Sequence, residues 1–405
     1  MAGRNDYIAS IDIGTDKIAV LVAEKEDDVR LRIIGNNISP SDGVRRGSIS
    51  AIDSLSRAIS KAVDQTQKSF DLEIGLVRVN LSDTHLTCID GNGKIPINEI
   101  VTTDDVDKVL ESASAITTPT NKEKLHTIKK KFIINGDHIV DNPKDMEAEV
   151  LESKVHIVTV SSASVRNIEN CLKQCDLMVD RIVLDPIANS EAILTQEEKD
   201  GGVCLIDFGA GVTSYSVFQE EGIVRSGIIS MGGDDVTQEV AFAFDTSFEE
   251  AKRLKEDYGY AKSSVIKDEQ FVEFVQANKE SHQLSNLQLS EVIEETYVDI
   301  LLTLKNELRH HNLEANIKSG FVLCGGGAQA LGFEELVRKF FTRRVKIGGV
   351  QRDRISGLET ILMDYRYARS IGLLLHQEDL PKVDFVMLKE RNGVMGKIKK
   401  VLLNF

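Results

Sequence analysis

At 405 residues the chain exceeds one ordinary hydrophobic core, and domain-size scaling predicts two or three domains. With 41% hydrophobic and 28% charged residues, it has the make-up of a folded globular protein, which excludes a disordered chain. A formal net charge of −15 argues against nucleic acid as the main partner, because phosphate contacts need concentrated Lys and Arg.

The N-terminus turns polar at once (Arg4-Asn5-Asp6) and is not expected to be a signal peptide. Residues 7–13 predict a short buried strand, and residues 17–24 a second strand paired to it. Residues 48–68 place Ile49, Ile52, Leu55, Ile59 and Val63 at the three-to-four spacing of an amphipathic helix. Strands are expected again at 73–81 and 85–89. The stretch 98–152 is less regular, with charged segments and a Thr-Thr-Pro-Thr break at 117–120, and is expected to be a small inserted subdomain. A strand at 155–160, a helix at 165–175, a strand at 181–184 and a helix at 189–194 follow. Residues 201–208 then restart the N-terminal pattern. Beyond them come helices at 247–258 and 289–309, a strand at 320–323 and a helix at 334–341. Residues 377–392 lose the pattern and predict a linker.

Five cysteines (Cys88, Cys171, Cys175, Cys204, Cys324) sit in apolar surroundings and are expected to be reduced thiols. Cys171 and Cys175 lie four apart in a helical stretch, but no His or Cys nearby completes a metal site.

An internal echo about two hundred residues apart carries the chemistry. The first copy is Ile11-Asp12-Ile13-Gly14-Thr15, then Lys17 and a strand. The second is Leu205-Ile206-Asp207-Phe208-Gly209-Ala210-Gly211-Val212-Thr213, then another strand. Each is an apolar strand with an aspartate near its end and a Gly-containing turn with a hydroxyl residue. Glycines let backbone N–H groups approach a phosphate chain closely, and an aspartate at each strand end suits the waters of a Mg²⁺. A third element, Val322-Leu323-Cys324-Gly325-Gly326-Gly327-Ala328, runs a strand into side-chain-free backbone that can pass against an adenine ring. Any one of the three is ordinarily just a turn; their joint occurrence points to polyphosphate.

Together these elements resemble the phosphate-1, phosphate-2 and adenosine motifs of the actin/Hsp70/sugar-kinase ATPase superfamily. Within it the chain resembles the FtsA family of actin-like bacterial cell-division proteins over essentially its whole length. Asp12-Ile13-Gly14-Thr15-Asp16-Lys17, His156-Ile157-Val158-Thr159, Pro186-Ile187-Ala188, Gly232-Gly233, Arg344-Val345-Lys346-Ile347-Gly348 and the stretches 207–213, 251–259, 322–329 and 393–405 carry the resemblance. It implies an α/β, actin-like fold of duplicated RNase H-like lobes with an FtsA-type subdomain inserted in the first. The implied layout is a first lobe core at 1–81 and 161–198, closed by a helix at about 360–376, with the insert at 82–160. The second lobe core then covers 199–230 and 304–359, with an upper subdomain at 231–303.

The resemblance also implies ATP and Mg²⁺ in the cleft. Gly14, Thr15 and Lys17 would contact phosphates from one side, and Gly209, Gly211 and Thr213 from the other, with Gly232 and Gly233 beside them. Asp12 and Asp207 would organise the metal waters, and Asp185 would lie near the attacking water. Gly325, Gly326 and Gly327 would line the adenosine, with Lys255 near the ribose. Ala210, Val212 and Ser214 depart from the family's usual Gly, Thr and Asp, and Lys252 stands where Glu often contacts the ribose; these changes bear on affinity and on hydrolysis, expected to be slow at most. Glu295-Thr296 replaces a Pro-Arg pair in the helix that helps receive the acidic tail of the tubulin-like FtsZ.

Residues 393–405 hold three lysines and no acidic residue. On a helical wheel Val394, Ile398, Val401, Leu402 and Phe405 share one face, flanked by Lys397, Lys399 and Lys400, whereas Leu403 lies off it. An amphipathic membrane helix is expected, a helix packed on its own domain being the alternative. Five apolar residues buried by half contribute on the order of 5 kcal/mol, and each lysine up to about 1 kcal/mol near anionic lipid. That is reversible attachment, strengthened when linked copies bind together. The expected function is an ATP-binding protein that polymerises on the cytoplasmic face of the bacterial membrane at the septum. There it would anchor FtsZ through that protein's C-terminal tail and recruit later division proteins. The alternatives are an ATP-hydrolysing kinase or chaperone-type enzyme of the same fold, or the related pilus-assembly adaptor.

Overall fold

A computed structural model describes residues 7–27 and 29–377. The expected linker beyond residue 377 and the terminal helix, with Val394, Lys397, Ile398, Lys400, Val401, Leu402 and Phe405, lie outside the described residues.

The chain begins with β1 (Tyr7–Ile13), β2 (Lys17–Lys25) and β3 (Leu31–Pro40), an antiparallel meander. Residues 9–13 and 18–23 are buried without alternation, because both faces of this sheet are covered. A small hairpin, β4 (Val44–Arg45) with β5 (Ser48–Ile49), follows. It takes up the first residues of the stretch expected to be helical, so α1 (Ile52–Phe70) starts four residues later than the periodicity suggests. Leu55, Ile59, Ala62, Val63 and Thr66 form its buried stripe, and Asp71 ends it in the left-handed conformation. β6 (Leu76–Leu81) then returns parallel to β1.

The insert is more regular than its composition suggests. β7 (Thr87–Pro96), α2 (Thr103–Ser114), β8 (Lys122–Ile134), β9 (His138–Val140) and β10 (Val150–Ser161) build an antiparallel sheet of order β7-β10-β8-β9. Thr102 and Asp105 close a capping box at the start of α2. Gly91 and Gly93 let that helix lie on the sheet: a Cβ there would sit 1.9 Å from Ala113 O and 2.2 Å from Val109 O. The insert has its own core around Val109, Phe132, Leu151 and Val155.

Next come α3 (Ser162–Gln174), β11 (Met178–Leu184), α4 (Asp185–Ile193) and α5 (Gln196–Gly201). α4 begins with Asp185 and Pro186, four residues ahead of expectation, proline being suited to a first helical turn. The second lobe repeats the first with β12 (Val203–Phe208), β13 (Thr213–Gln219) and β14 (Gly222–Ile229). Its upper part holds α6 (Gly233–Ala243), α7 (Phe248–Tyr258), the hairpin β15 (Phe271–Val275) with β16 (Ser281–Ser285), and the long α8 (Asn286–His310). β17 (Gly320–Cys324), α9 (Phe333–Phe340) and β18 (Val345–Ile347) complete it. The chain then crosses back through β19 (Ile355–Ser356) and α10 (Glu359–Leu362) to α11 (Ala368–Leu375).

The first sheet runs β11-β6-β1-β2-β3-β19 and the second β14-β13-β12-β17-β18. In both, a central strand pairs antiparallel with its successor and parallel with a strand returning after a helix. The sequence echo is therefore a duplication of architecture, with β1 matching β12 and β6 matching β17. α4 and α11 pack together, so closely that a Cβ on Gly372 would lie 1.8 Å from Ala188 O. Each brings its first turn to the region where the two sheets meet.

Candidate functional site

The two echo motifs form hairpins of the same geometry. In the first, Gly14 N donates to Lys17 O at 2.9 Å, and in the second Gly209 N donates to Val212 O at 3.0 Å. A Cβ on either glycine would come within 2.9 and 2.8 Å of the carbonyl that its own amide reaches. The turns meet: a Cβ on Gly211 would lie 2.4 Å from Thr15 Oγ1, which also accepts from Gly47 N at 3.3 Å. Beneath them Gly325, at φ +84°, brings the third glycine segment against Asp207 Oδ1, 2.2 Å from where its Cβ would be.

Between these elements lies a cavity of 470 Å³, a size suited to a small-molecule ligand. Asp12, Gly14, Thr15, Lys17, Asp185 and Asp207 line it from below and from the first lobe. Gly209, Gly211, Gly233, Lys255, Gly325, Gly326 and Gly327 line it from the second. Two expected site residues stand one layer back. Thr213 is fully buried and donates to Met231 O at 2.9 Å, and Gly232 packs on the Gly209 and Ala210 carbonyls while its amide donates to Asp235 Oδ2 at 2.7 Å. Both brace the second turn rather than face the cavity. Lys255 donates to Gly233 O at 2.9 Å and Thr237 Oγ1 at 2.7 Å, and burial holds its ammonium below the ordinary lysine range. Lys252 reaches across the mouth to Asp16, and Arg46 to Asp235 at 2.6 Å, so two exposed ion pairs join the lobes.

The residue that sequence reasoning missed is Arg369, in the first turn of α11. Its Nη1 donates to Asp12 Oδ1 at 2.9 Å and lies 3.7 Å from Asp185 Oδ2, and its Nη2 donates to Asp207 Oδ2. One guanidinium thus ties the strand-end aspartates of both lobes to the aspartate opening α4. Lys17 Nζ stands 3.4 Å from Asp12 Oδ2, Asn189 donates to Asp207 Oδ2 at 2.8 Å, and Asn80 donates to Asp185 Oδ1 at 2.9 Å. Burial alone would push the Asp12 carboxyl up, but Arg369 and Lys17 outweigh it and hold it below the usual range. At Asp185 burial wins over Arg369 and Asn80, with Asp12 and Asp207 adding to it, and the carboxyl is pushed up to about 6. A signal was present in the sequence: Arg369 is a lone charge in the apolar run 367–375, where a buried cation must find partners.

Asp12 and Asp207, the expected holders of the waters of a Mg²⁺, both line the cavity and are charge-paired within the protein, Asp12 with Arg369 and Lys17 and Asp207 with Arg369. Among the described residues no cluster of three or more His, Cys, Asp or Glu is arranged to hold a metal ion. The donor set does not fit a resident divalent cation, whose place the guanidinium takes.

Two like-ordered sheets, joined by a pair of matching glycine hairpins over a shared cavity, define an actin-like protein. A family model described as "Cell division protein FtsA" matches residues 204–372, and one described as "SHS2 domain inserted in FTSA" matches residues 84–159, the insert built on β7–β10. The chain belongs to the FtsA family: it is 30% identical to the cell division protein FtsA of Neisseria meningitidis serogroup B, over 99% of this chain and 98% of that one. Among solved structures it is similar to a chain of the PilM-PilN type IV pilus biogenesis complex (TM-score 0.62, 14% identity, 91% and 97% of the two chains covered). It is also similar to MreB 5 of Spiroplasma citri bound to AMPPNP (TM-score 0.55, 12% identity, 99% of each chain covered). At such identities these two likenesses speak for the fold alone.

Proposed function

We propose that this cell-division protein takes ATP in the cleft and self-assembles when filled. In this reading it attaches to the cytoplasmic membrane face through residues 393–405, where it holds the FtsZ C-terminal tail and gathers later division proteins. The observation that carries the reading is the convergence of two equivalent glycine hairpins, one from each lobe, on one cavity of 470 Å³. A ligand gripped by both hairpins stabilises one relation of the lobes, and a surface spanning both lobes is then fixed for a neighbouring copy.

The chain's own residues suit a nucleotide. Backbone N–H groups of the two turns supply donors for phosphate oxygens, with Lys17 and Lys255 as the nearby cations. Gly325, Gly326 and Gly327 offer a strip without side chains for the adenosine. MreB 5 of Spiroplasma citri, bound to AMPPNP, shows that a fold of this kind can hold an adenine nucleotide. Asp185 is engaged by Asn80 and faces Arg369, which supports gated assembly in preference to rapid turnover. For the FtsZ tail, Glu295 is exposed on α8 while Thr296 is turned into the core, so basic groups elsewhere, such as Lys339 beside Glu294, would have to meet an acidic peptide.

Sedimentation with anionic phosphatidylglycerol vesicles tests the reading. The full-length chain is expected to pellet, and more so with ATP, while a chain ending at Asn392 stays in solution. Equal pelleting of both chains, or indifference to ATP, contradicts it.

A further inference from the structure

We infer that Arg369 is the built-in cation of this cleft and that the chain takes its nucleotide without a divalent metal. The inference rests on the nucleotide reading above and concerns how that site balances charge.

Three of the four oxygens of the two strand-end carboxylates have charged or amide partners, and backbone packs against the fourth. Asp12 gives Oδ1 to Arg369 and Oδ2 to Lys17. Asp207 gives Oδ2 to Arg369 and Asn189, and its Oδ1 is covered by the backbone of Gly325, where even a Cβ would stand only 2.2 Å away. Magnesium asks for carboxylate oxygens free to hold its ordered waters in near-octahedral array. To seat it here, the guanidinium would have to leave three buried carboxylates and remain unpaired in the interior, which is the costly way to break a buried ion pair.

Arg369 is also not free to swing aside. It opens a helix whose residues 370–375 are all buried, and the contact of that helix with α4 is so close that Gly372 admits no Cβ. Its side chain is 13% exposed, in contrast to the exposed Arg46 at the cleft mouth. The positive charge near the strand ends is therefore a fixed part of the protein, where it balances the carboxylates that a bound metal would otherwise balance. A metal already carried on the nucleotide adds a second cation where the first one stands. Metal-free ATP is the better match.

Calorimetry on the full chain distinguishes the outcomes. With ATP in excess EDTA the dissociation constant is expected to stay within about threefold of that in excess magnesium, or to fall below it; in Arg369→Gln, binding is expected to become magnesium-dependent. A loss of about tenfold or more on chelation overturns the inference while leaving the nucleotide site standing. Uptake in neither buffer defeats the nucleotide reading itself, and the inference with it. Should Arg369→Gln fail to fold, Mn²⁺ titration of the unaltered protein followed by electron paramagnetic resonance gives the independent check. No uptake without nucleotide is expected, and one tightly held ion per chain would overturn the proposal.

Discussion

Replacing Arg369 by methionine keeps much of the side chain's length and removes its charge. Asp12, Asp185 and Asp207, which are 1%, 2% and 5% exposed, are then left, among the described residues, with Lys17 as the one cation in contact. Removing one partner of a buried ion-pair cluster costs about 3–5 kcal/mol, chiefly because the opposite charge stays buried without compensation. The loss depends on pH. In the unaltered protein Asp12 titrates below its ordinary value, so the stability it contributes is present above the unfolded pKa and fades as pH falls through the lower, folded one. In Arg369→Met the carboxylates oppose folding when ionised, and acid relieves them. The difference in stability between the two proteins, read by urea denaturation, is expected to be largest near pH 8 and to shrink toward pH 5. Adding Asp12→Asn and Asp207→Asn to Arg369→Met is expected to restore most of the loss at neutral pH. A change below about 1 kcal/mol at pH 7.5, or a gap that does not vary with pH, refutes the charge-cluster reasoning.

Asp185→Asn is expected to stabilise the nucleotide-free protein. Its folded pKa of about 6 lies above its ordinary 3.8, so the penalty for ionising it is absent below the lower value and full above the higher one. About two units correspond to on the order of 3 kcal/mol at pH 7.5, an upper limit because Arg369 loses a neighbour; the variant's stability should also vary less between pH 4 and 6. Gly211→Ala places a methyl 2.4 Å from Thr15 Oγ1 and forces the two turns apart. Nucleotide affinity measured by calorimetry is expected to fall about tenfold or more, which corresponds to about 1.4 kcal/mol, with thermal stability changing little. Gly372→Ala, whose methyl would meet Ala188 O at 1.8 Å, is expected to cost about 1–3 kcal/mol or more in urea denaturation, because two backbones must separate.

The duplicated strand-turn-strand motif was legible because it depends on local features: an unbroken apolar run, one aspartate and a glycine turn. The same holds for α8, whose apolar period runs long enough to exclude other readings. Elements defined by their neighbours were not. β8 carries Lys122, Lys124, Lys129, Lys130 and Lys131, a composition without strand character, and is a strand because β10 and β9 pair with it on either side. Lys130 is buried there against Asp90 of β7, a contact that no local pattern announces. α2 is short and its apolar positions are few, but the Thr102–Asp105 capping box was readable in principle. β3 and β14 hold their places as third strands of the meanders, which tertiary pairing decides.

The site divides in the same way. Glycine turns and strand-end aspartates declare themselves through backbone chemistry, and the cavity lies among most of the residues so named. Arg369 stands 357 positions from Asp12 along the chain, and no spacing rule links them. Thr213 and Gly232 show the converse limit. Motif membership brought them into the expected site, yet one strand residue faces inward and one turn residue packs behind its neighbour.

The central claim is that two hairpins from separate lobes close on one nucleotide. Hydrogen–deuterium exchange with and without ATP addresses it most directly, because each turn reports through its own amides. Joint protection of residues 14–17, 209–213 and 325–327 on adding ATP is the expected result. Protection of one hairpin alone, or of neither while ATP is demonstrably bound, contradicts the account.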